Sequence, residues 1–345
     1  MDTFTDLTVE LPWGDYDSLR EHDLGAYVPD DETLRAVAFV DKGGTSKTTS
    51  LAHMGVVADQ ELGLDTLLIA LDGKQNDLAT HFGIEGDDLE QATRWPTIAQ
   101  AFAPNIDQID ERLRSEGDTD DGVLADLAVP TGEGPDLIPA SEELDGVDKS
   151  LSDIDDPAQR YSFLDDFLSQ YVDDQYDLVL IDVPGSTSNV AANALWATKH
   201  VFTPVRPSPL DTKQAAKIRA EINTKRERHD FLSDLELTMV VLSQVSSQTK
   251  AGRYFLDQFR GAFPVELSPV PVRDSQAVIN AQLERETLFA HDSDLSSAEE
   301  ARDQYRQNTA ELVRRLGTPG WKDDVEGVDA EATSGPVGGT EEVAR

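Results

Sequence analysis

The sequence predicts an α/β protein: a doubly wound, mostly parallel β-sheet flanked by helices. Three observations carry that expectation. Short apolar runs alternate with stretches of helical periodicity along most of the chain. Residues 34–71 place a strand, a loop, a helix and a second strand within about 38 residues, the βαβ unit whose crossover leaves its strands parallel. The 39% hydrophobic content is gathered in these segments, so the 345-residue chain can bury a core despite its charge.

The elements follow in order. Residues 1–33 carry ten acids and one base with little periodicity and read as an acidic extension ahead of the core. LRAVAFV (34–40) is a strand that ends at a loop. Residues 47–62 repeat apolar side chains at helical spacing through Leu51, Met54, Ala58 and Leu62, with Gly63 as the stop. TLLIAL (66–71) is the next strand, and further apolar runs lie at 136–140, 176–186, 200–205, 235–243 and 265–272. An acidic, Gly-containing excursion at 84–134 holds a weak helix near 97–114, and a stronger helix is expected at 211–229. From Thr318 the chain turns polar and Gly-rich and reads as a disordered tail, 318–345, which leaves 34–317 as the folded domain. There is no internal repeat.

With 67 acidic and 29 basic residues the net charge is -38. Such charge raises the question of disorder, but the patterned apolar content answers it. Arginine outnumbers lysine 19 to 10 and carboxylates occur in almost every segment, the composition of a salt-adapted, halophilic cytoplasm where ions screen self-repulsion. With no cysteine, disulfides, thiolate metal sites and cysteine nucleophiles are excluded. No 18-residue apolar run occurs, and the N-terminus has neither a basic segment nor an apolar one, so a soluble cytoplasmic protein is expected.

The decapeptide DKGGTSKTTS (41–50) fails the ordinary phosphate-loop pattern, because Asp41 and Ser46 stand where that pattern places glycine. Its chemistry is nonetheless that of an anion cradle. Gly43 and Gly44 let backbone approach a phosphate, Lys42 and Lys47 supply charge, and Thr48 offers a hydroxyl to Mg²⁺ at a helix N-terminus.

KGGTSKTT resembles the deviant Walker A motif KGGxGKTT of the ParA/MinD family of P-loop ATPases. In that form no glycine is expected at Asp41, and Ser46 is the one departure; if the position needs φ > 0, serine costs about 1–2 kcal/mol there. Five further blocks share the resemblance. LLIALDGKQN (67–76) is similar to LLIDLDPQGN, with Asp72 matching the aspartate that positions the attacking water and Ala70, Gly73 and Lys74 departing. DLIPAS (136–141) and YDLVLIDVPGS (176–186) match strand ends of the family, the second giving Asp182 as the carboxylate that holds Mg²⁺ through water. NALWATKHVFTPVRPS (193–208) follows, and VPVRDS (270–275) resembles the segment bordering adenine, which implicates Pro271 and Arg273. LSQ (242–244) stands where relatives often place an asparagine for the base.

The resemblance implies ATP and Mg²⁺ as ligands, residues Lys42, Gly43, Gly44, Thr45, Ser46, Lys47, Thr48 and Thr49 as the nucleotide cradle, and Lys42, Lys47 and Asp72 as the hydrolytic groups. It further implies a nucleotide-sandwich homodimer in which Lys42 reaches the other subunit's ATP. Bland readings stand beside these: an ordinary surface turn for the glycine pair, a helix cap for Asp182 and a turn residue for Asp72.

Residues 199–273 hold 12 bases against eight acids, a local net of +4 where the rest of the chain carries -42. Lys213, Lys217, Arg219, Lys225, Arg226 and Arg228 lie on the expected helix at 211–229, and Lys250 and Arg253 follow. They read either as surface ion pairs or as a phosphate-tracking stripe for non-specific DNA. The resemblance favours the stripe, with plasmid or chromosome partition, a ParB-like centromere-binding partner that stimulates slow hydrolysis, and a nucleoid-associated location. An orphan ATPase that positions a protein cargo and a nucleotide-gated module with little hydrolysis remain alternatives. The tail has neither the bulky apolar residues nor the basic charge of a membrane-binding helix, so no membrane partner is expected.

Overall fold

A strand covered on both faces needs apolar side chains at successive positions, and the runs read above meet that need. The computed structural model describes residues 27–28, 33–40, 46–73, 76–116, 122–185, 188–206, 208–245, 250–293 and 295–322. Its strands are β1 (Leu34–Ala38), β2 (Thr66–Ala70), β3 (Val129–Pro130), β4 (Asp136–Ile138), β5 (Leu178–Asp182), β6 (His200–Val205) and β7 (Glu236–Leu242). They form one sheet in the order β3-β4-β2-β5-β1-β6-β7, parallel throughout except for β3 against β4.

The helices are α1 (Lys47–Val56), α2 (Asp77–His81), α3 (Gly86–Ala92), α4 (Ile106–Glu116), α5 (Gly122–Leu127), α6 (Leu144–Ser152) and α7 (Pro157–Tyr171). They continue with α8 (Asn189–Thr198), α9 (Pro209–Arg228), α10 (Lys250–Ala262), α11 (Gln276–Glu284) and α12 (Ser296–Leu316). From β1 the chain crosses through α1 past β5 to β2, whereas from β5 it crosses through α8 past β1 to β6. Right-handed crossovers in opposite directions put α1 and α8 on opposite faces. The sheet is therefore doubly wound, as expected.

Register fixes the functional end. Ala38 on β1 and Ala70 on β2 both lie opposite Asp182 on β5, so the central strands finish level with that carboxylate.

Some expectations are corrected. The run at 265–272 forms no strand and makes only isolated bridges, Val240 to Leu267 and Val245 to Arg273. Pro269 and Pro271 lack the N–H groups a ladder needs. The weak helix near 97–114 is instead a 3₁₀ turn at Ile98–Phe102, capped by the Thr97 and Gln100 pair, followed by α4. The tail does not leave the fold at Thr318. Trp321 is 2% exposed and donates from Nε1 to Glu236 Oε1 at 2.7 Å, while Lys322 pairs with the same carboxylate at 2.8 Å. At the other end Tyr27 and Val28 already pack against the core, and residues 1–26 and 323–345 lie outside the described residues.

Two buried histidines meet beside α12, His53 on α1 and His81 at the end of α2, their ring centroids 5.5 Å apart. His53 Nε2 accepts from Leu288 N–H at 3.1 Å, which leaves Nδ1 to donate to the Thr49 carbonyl at 2.7 Å, and the ring stacks on Tyr305 at 4.5 Å. Burial first, then His81, lowers the His53 pKa to about 3, and burial lowers that of His81 to about 4. Below about pH 6.5 the unfolded chain takes up protons that the folded one refuses, so stability is full above 6.5 and falls as pH drops towards 4. The expected slope is about 1.4 kcal/mol per pH unit for each histidine. His81 Nε2 is buried without a hydrogen-bond partner, so His81→Leu should halve the slope of their joint contribution, read by urea unfolding from pH 7 to 5; an unchanged slope would refute it.

Candidate functional site

Residues 41–45 lie outside the described residues, and with them the expectations placed on Lys42, Gly43, Gly44 and Thr45. The described site begins at Ser46, the residue before α1, whose φ of 63° and ψ of 20° are left-handed. The position thus does demand φ > 0, and serine pays about 1–2 kcal/mol there relative to glycine. Part of that cost is offset by a hydrogen bond between Ser46 Oγ and Ser243 Oγ, which ties the loop to the end of β7.

Lys47 and Thr48 open α1 and turn onto one carboxylate. Thr48 Oγ1 donates to Asp182 Oδ2 at 2.8 Å, and Lys47 Nζ ion-pairs with Asp182 Oδ1 and donates to the Val183 carbonyl. Asp182 is 4% exposed. The fold thus brings together groups more than 130 residues apart, as a hard-oxygen and ammonium cluster at the end of the central strands. A hydroxyl and carboxylates are the donor set that suits Mg²⁺.

Asp72 follows β2, whose end is held to β5 by Leu71 N–H donating to the Asp182 carbonyl at 2.8 Å. The turn can pack closely because its next residue is glycine: a Cβ on Gly73 would stand 2.6 Å from the Ser141 carbonyl oxygen. The charges of this site also reach Asp77, exposed at the start of α2. Its pKa is raised by partial burial first and then by the charges of Asp72 and Asp182, with Lys47 opposing.

On the far side of Ser46 a small cleft is lined by Thr49, Ser243, Gln244, Val272, Arg273 and Tyr305, among others. Arg273 is in place at its wall, its guanidinium held by Glu300 at 2.6 Å. Pro271 is buried and is not among the residues that line the cleft. The Thr49 hydroxyl accepts from Gln282 Nε2 at 2.5 Å, which fixes α11 to α1.

The family model AAA_31, described as an AAA domain, matches residues 35–236. A ParA family protein of Chlamydia muridarum is 27% identical over 274 residues, 79% of this chain and 94% of that protein. The chain belongs to the ParA/MinD type of P-loop ATPases. Among solved structures, the ATP complex of a Cyanothece McdA variant superposes with a TM-score of 0.64 at 16% identity, covering 82% of this chain and 97% of that one. A cobyrinic acid a,c-diamide synthase of Mycobacterium smegmatis with a bound ATP analogue and magnesium gives 0.57 at 21% identity, covering 73% and 91%. These two show the same fold. The ParA/MinD-type family is one of nucleotide-binding ATPases, and in this chain its motifs fall at the shared end of β1, β2 and β5.

The basic segment divides under the same scrutiny. Lys213, Lys217 and Arg228 lie on the exposed side of α9, opposite its buried residues Ala215, Ile218 and Ile222. Lys250 and Arg253 are exposed at the start of α10, which packs beside α9. Arg226 is exposed and donates from Nε to the Ser233 carbonyl at 3.0 Å. Two expected members are corrected. Arg219 is committed to Glu266 at 2.8 Å and lies 4.1 Å over the Phe263 ring. Lys225 is half-buried and pairs with Glu221 at 3.6 Å. Both serve packing because they stand on the side of α9 that turns towards the body of the domain. No helix of the described residues is long and apolar enough to cross a membrane.

Proposed function

We propose that this protein binds ATP with Mg²⁺, closes into a nucleotide-sandwich dimer and, in that form, holds DNA without reading its sequence, so that hydrolysis stimulated by a ParB-like partner drives plasmid or chromosome partition. The single observation that supports this reading most is the convergence of Lys47 and Thr48 on the buried carboxylate of Asp182. Thr48 and Asp182 would hold the metal ion, the latter through water, and Mg²⁺ when bound supplies charge neutralisation on the phosphate oxygens. Lys47 exchanges its carboxylate partner for phosphate, and Asp72 orients the attacking water. Lys42, Gly43, Gly44 and Thr45 complete the cradle, and Lys42 reaches the nucleotide of the second subunit. Lys213, Lys217, Arg226, Arg228, Lys250 and Arg253 supply the phosphate contacts, on a protein that works in a salt-rich cytoplasm at the nucleoid.

Ala70 favours a second reading, a nucleotide-gated module with little hydrolysis, because a methyl group stands level with Asp182. DNA binding by wild type and Lys42→Ala, with ATP and with ADP in multimolar KCl, tests the first. Binding is expected only for wild type with ATP, with an affinity that falls as salt rises. Equal binding with both nucleotides, or none, would remove the DNA switch and leave a protein cargo as the object of the ATPase.

A further inference from the structure

Where α11 ends, the chain turns back on itself and gathers three side chains that take no part in the site above. Arg285 closes the helix in a left-handed conformation, φ 62°, and sets Glu284 and Glu286 on either side of the turn. His291 is 9% exposed, and its Nδ1 faces both carboxylates, Glu286 Oε1 at 2.7 Å and Glu284 Oε2 at 3.4 Å. The three donor atoms all lie within 4.8 Å of one another. Metal–ligand bonds of about 2.0–2.2 Å place donors on neighbouring coordination positions about 3.0–3.5 Å apart, so small rotations of the two carboxylates seat one ion among them.

A histidine beside a glutamate is ordinarily an ion pair, and Glu286 with His291 satisfies that reading. The second carboxylate does not. One Nδ1–H serves one acceptor well, yet Glu284 is turned onto the same nitrogen, and among the described residues neither glutamate pairs with a lysine or an arginine. The neighbouring arginines are held elsewhere: Arg285 by Glu85, and Arg302 by Glu299 at 3.0 Å and by the carbonyls of Leu288 at 2.8 Å and His291 at 2.9 Å. Together with Thr287 N–H, which donates to Glu133 Oε1 at 3.1 Å, these bonds fix the backbone that carries the three donors.

We propose that Glu284, Glu286 and His291 form a binding site for a divalent transition-metal ion, with Zn²⁺ the best match. An imidazole nitrogen beside two carboxylates selects such an ion over Mg²⁺ and Ca²⁺, which favour oxygen ligands, and three protein ligands leave one tetrahedral position to water. The ion ties the end of α11 to the turn that follows it. Both parts touch α1, because Gln282 donates to Thr49 and Leu288 N–H donates to His53. The site stands independently of the ATPase reading.

Zn²⁺ alone, titrated into the full chain against a chromophoric chelator, tests the assignment. One ion per chain should bind with a Kd below about 10 µM, and Zn²⁺ at about 100 times Kd should raise the thermal midpoint by about 4 °C. Glu284→Gln and His291→Gln should each weaken binding at least about 10-fold, whereas Asp182→Asn, which alters the ATP site, should bind Zn²⁺ as wild type does. The Glu284 side chain is 65% exposed, so its substitution spares the fold and decides the matter should His291→Gln unfold. Binding by wild type weaker than about 10 µM overturns the proposal, as does undiminished binding by Glu284→Gln. A loss confined to Asp182→Asn overturns it too, by placing the ion with Thr48 and Asp182.

Discussion

Asp182→Asn is expected to lower Mg²⁺-dependent ATP turnover at least about 100-fold, a loss of about 2.7 kcal/mol in transition-state stabilisation. The reason lies in what the carboxylate does at once. It accepts from Thr48 Oγ1, it neutralises Lys47, and it stands level with the ends of β1 and β2. Asparagine keeps an acceptor for the hydroxyl but no charge for a metal-bound water or for the ammonium. Single-turnover hydrolysis and a Mg²⁺ titration of nucleotide binding read the two effects separately, and the Mg²⁺ requirement should move to higher concentration together with the rate. Turnover within about 3-fold of wild type would reduce Asp182 to a strand-end acceptor that anchors α1, the bland reading of its position.

Most of this site was legible because the motifs sit where two periodicities meet. Buried parallel strands write themselves as apolar runs, so β6 was found with its observed limits, His200–Val205, and the loop after β1 announced itself by its glycines and lysines. The φ of Ser46 could be posed as a condition from the motif alone, and the structure meets it at 63°. What could not be read depends on partners remote in sequence. Arg219 looked like its exposed neighbours, and only its pairing with Glu266, 47 residues away, removes it from the basic surface. Asp77 carried one weak signal, an acid directly after Asn76, with nothing to say that the charges of Asp72 and Asp182 would act on it. Trp321, in a segment of tail-like composition, is buried by Glu236 and by the Arg315 guanidinium 4.5 Å over its ring. Composition averaged over a window hides one anchoring side chain.

That arginine belongs to the feature with the largest expected effect on stability. Glu311 on α12 is 0% exposed and receives Arg314 at 2.9 Å and Arg315 at 2.6 Å. Arg315 also donates to the carbonyls of Thr238 at 2.9 Å and of Glu266 and Leu267 at 3.1 Å, so it binds α12 to β7 and to the segment whose prolines prevent it from pairing as a strand. Burial pushes the Glu311 carboxyl up, but the bond from Arg314 and the charges of both arginines win and hold it below the usual carboxylate range. Its contribution is therefore present above the ordinary glutamate pKa and is lost as pH falls through the lowered one. Glu311→Leu removes the carboxylate that the two buried guanidiniums share, and should cost about 3–5 kcal/mol in urea unfolding at neutral pH. Because water and ions are excluded from the triad, the loss should persist in multimolar KCl, where an exposed pair such as Arg260 with Asp257 is screened away. A cost below about 1 kcal/mol would mean that desolvation of the three charges already cancels their attraction in the wild type, and that α12 is held to the sheet by its apolar contacts alone.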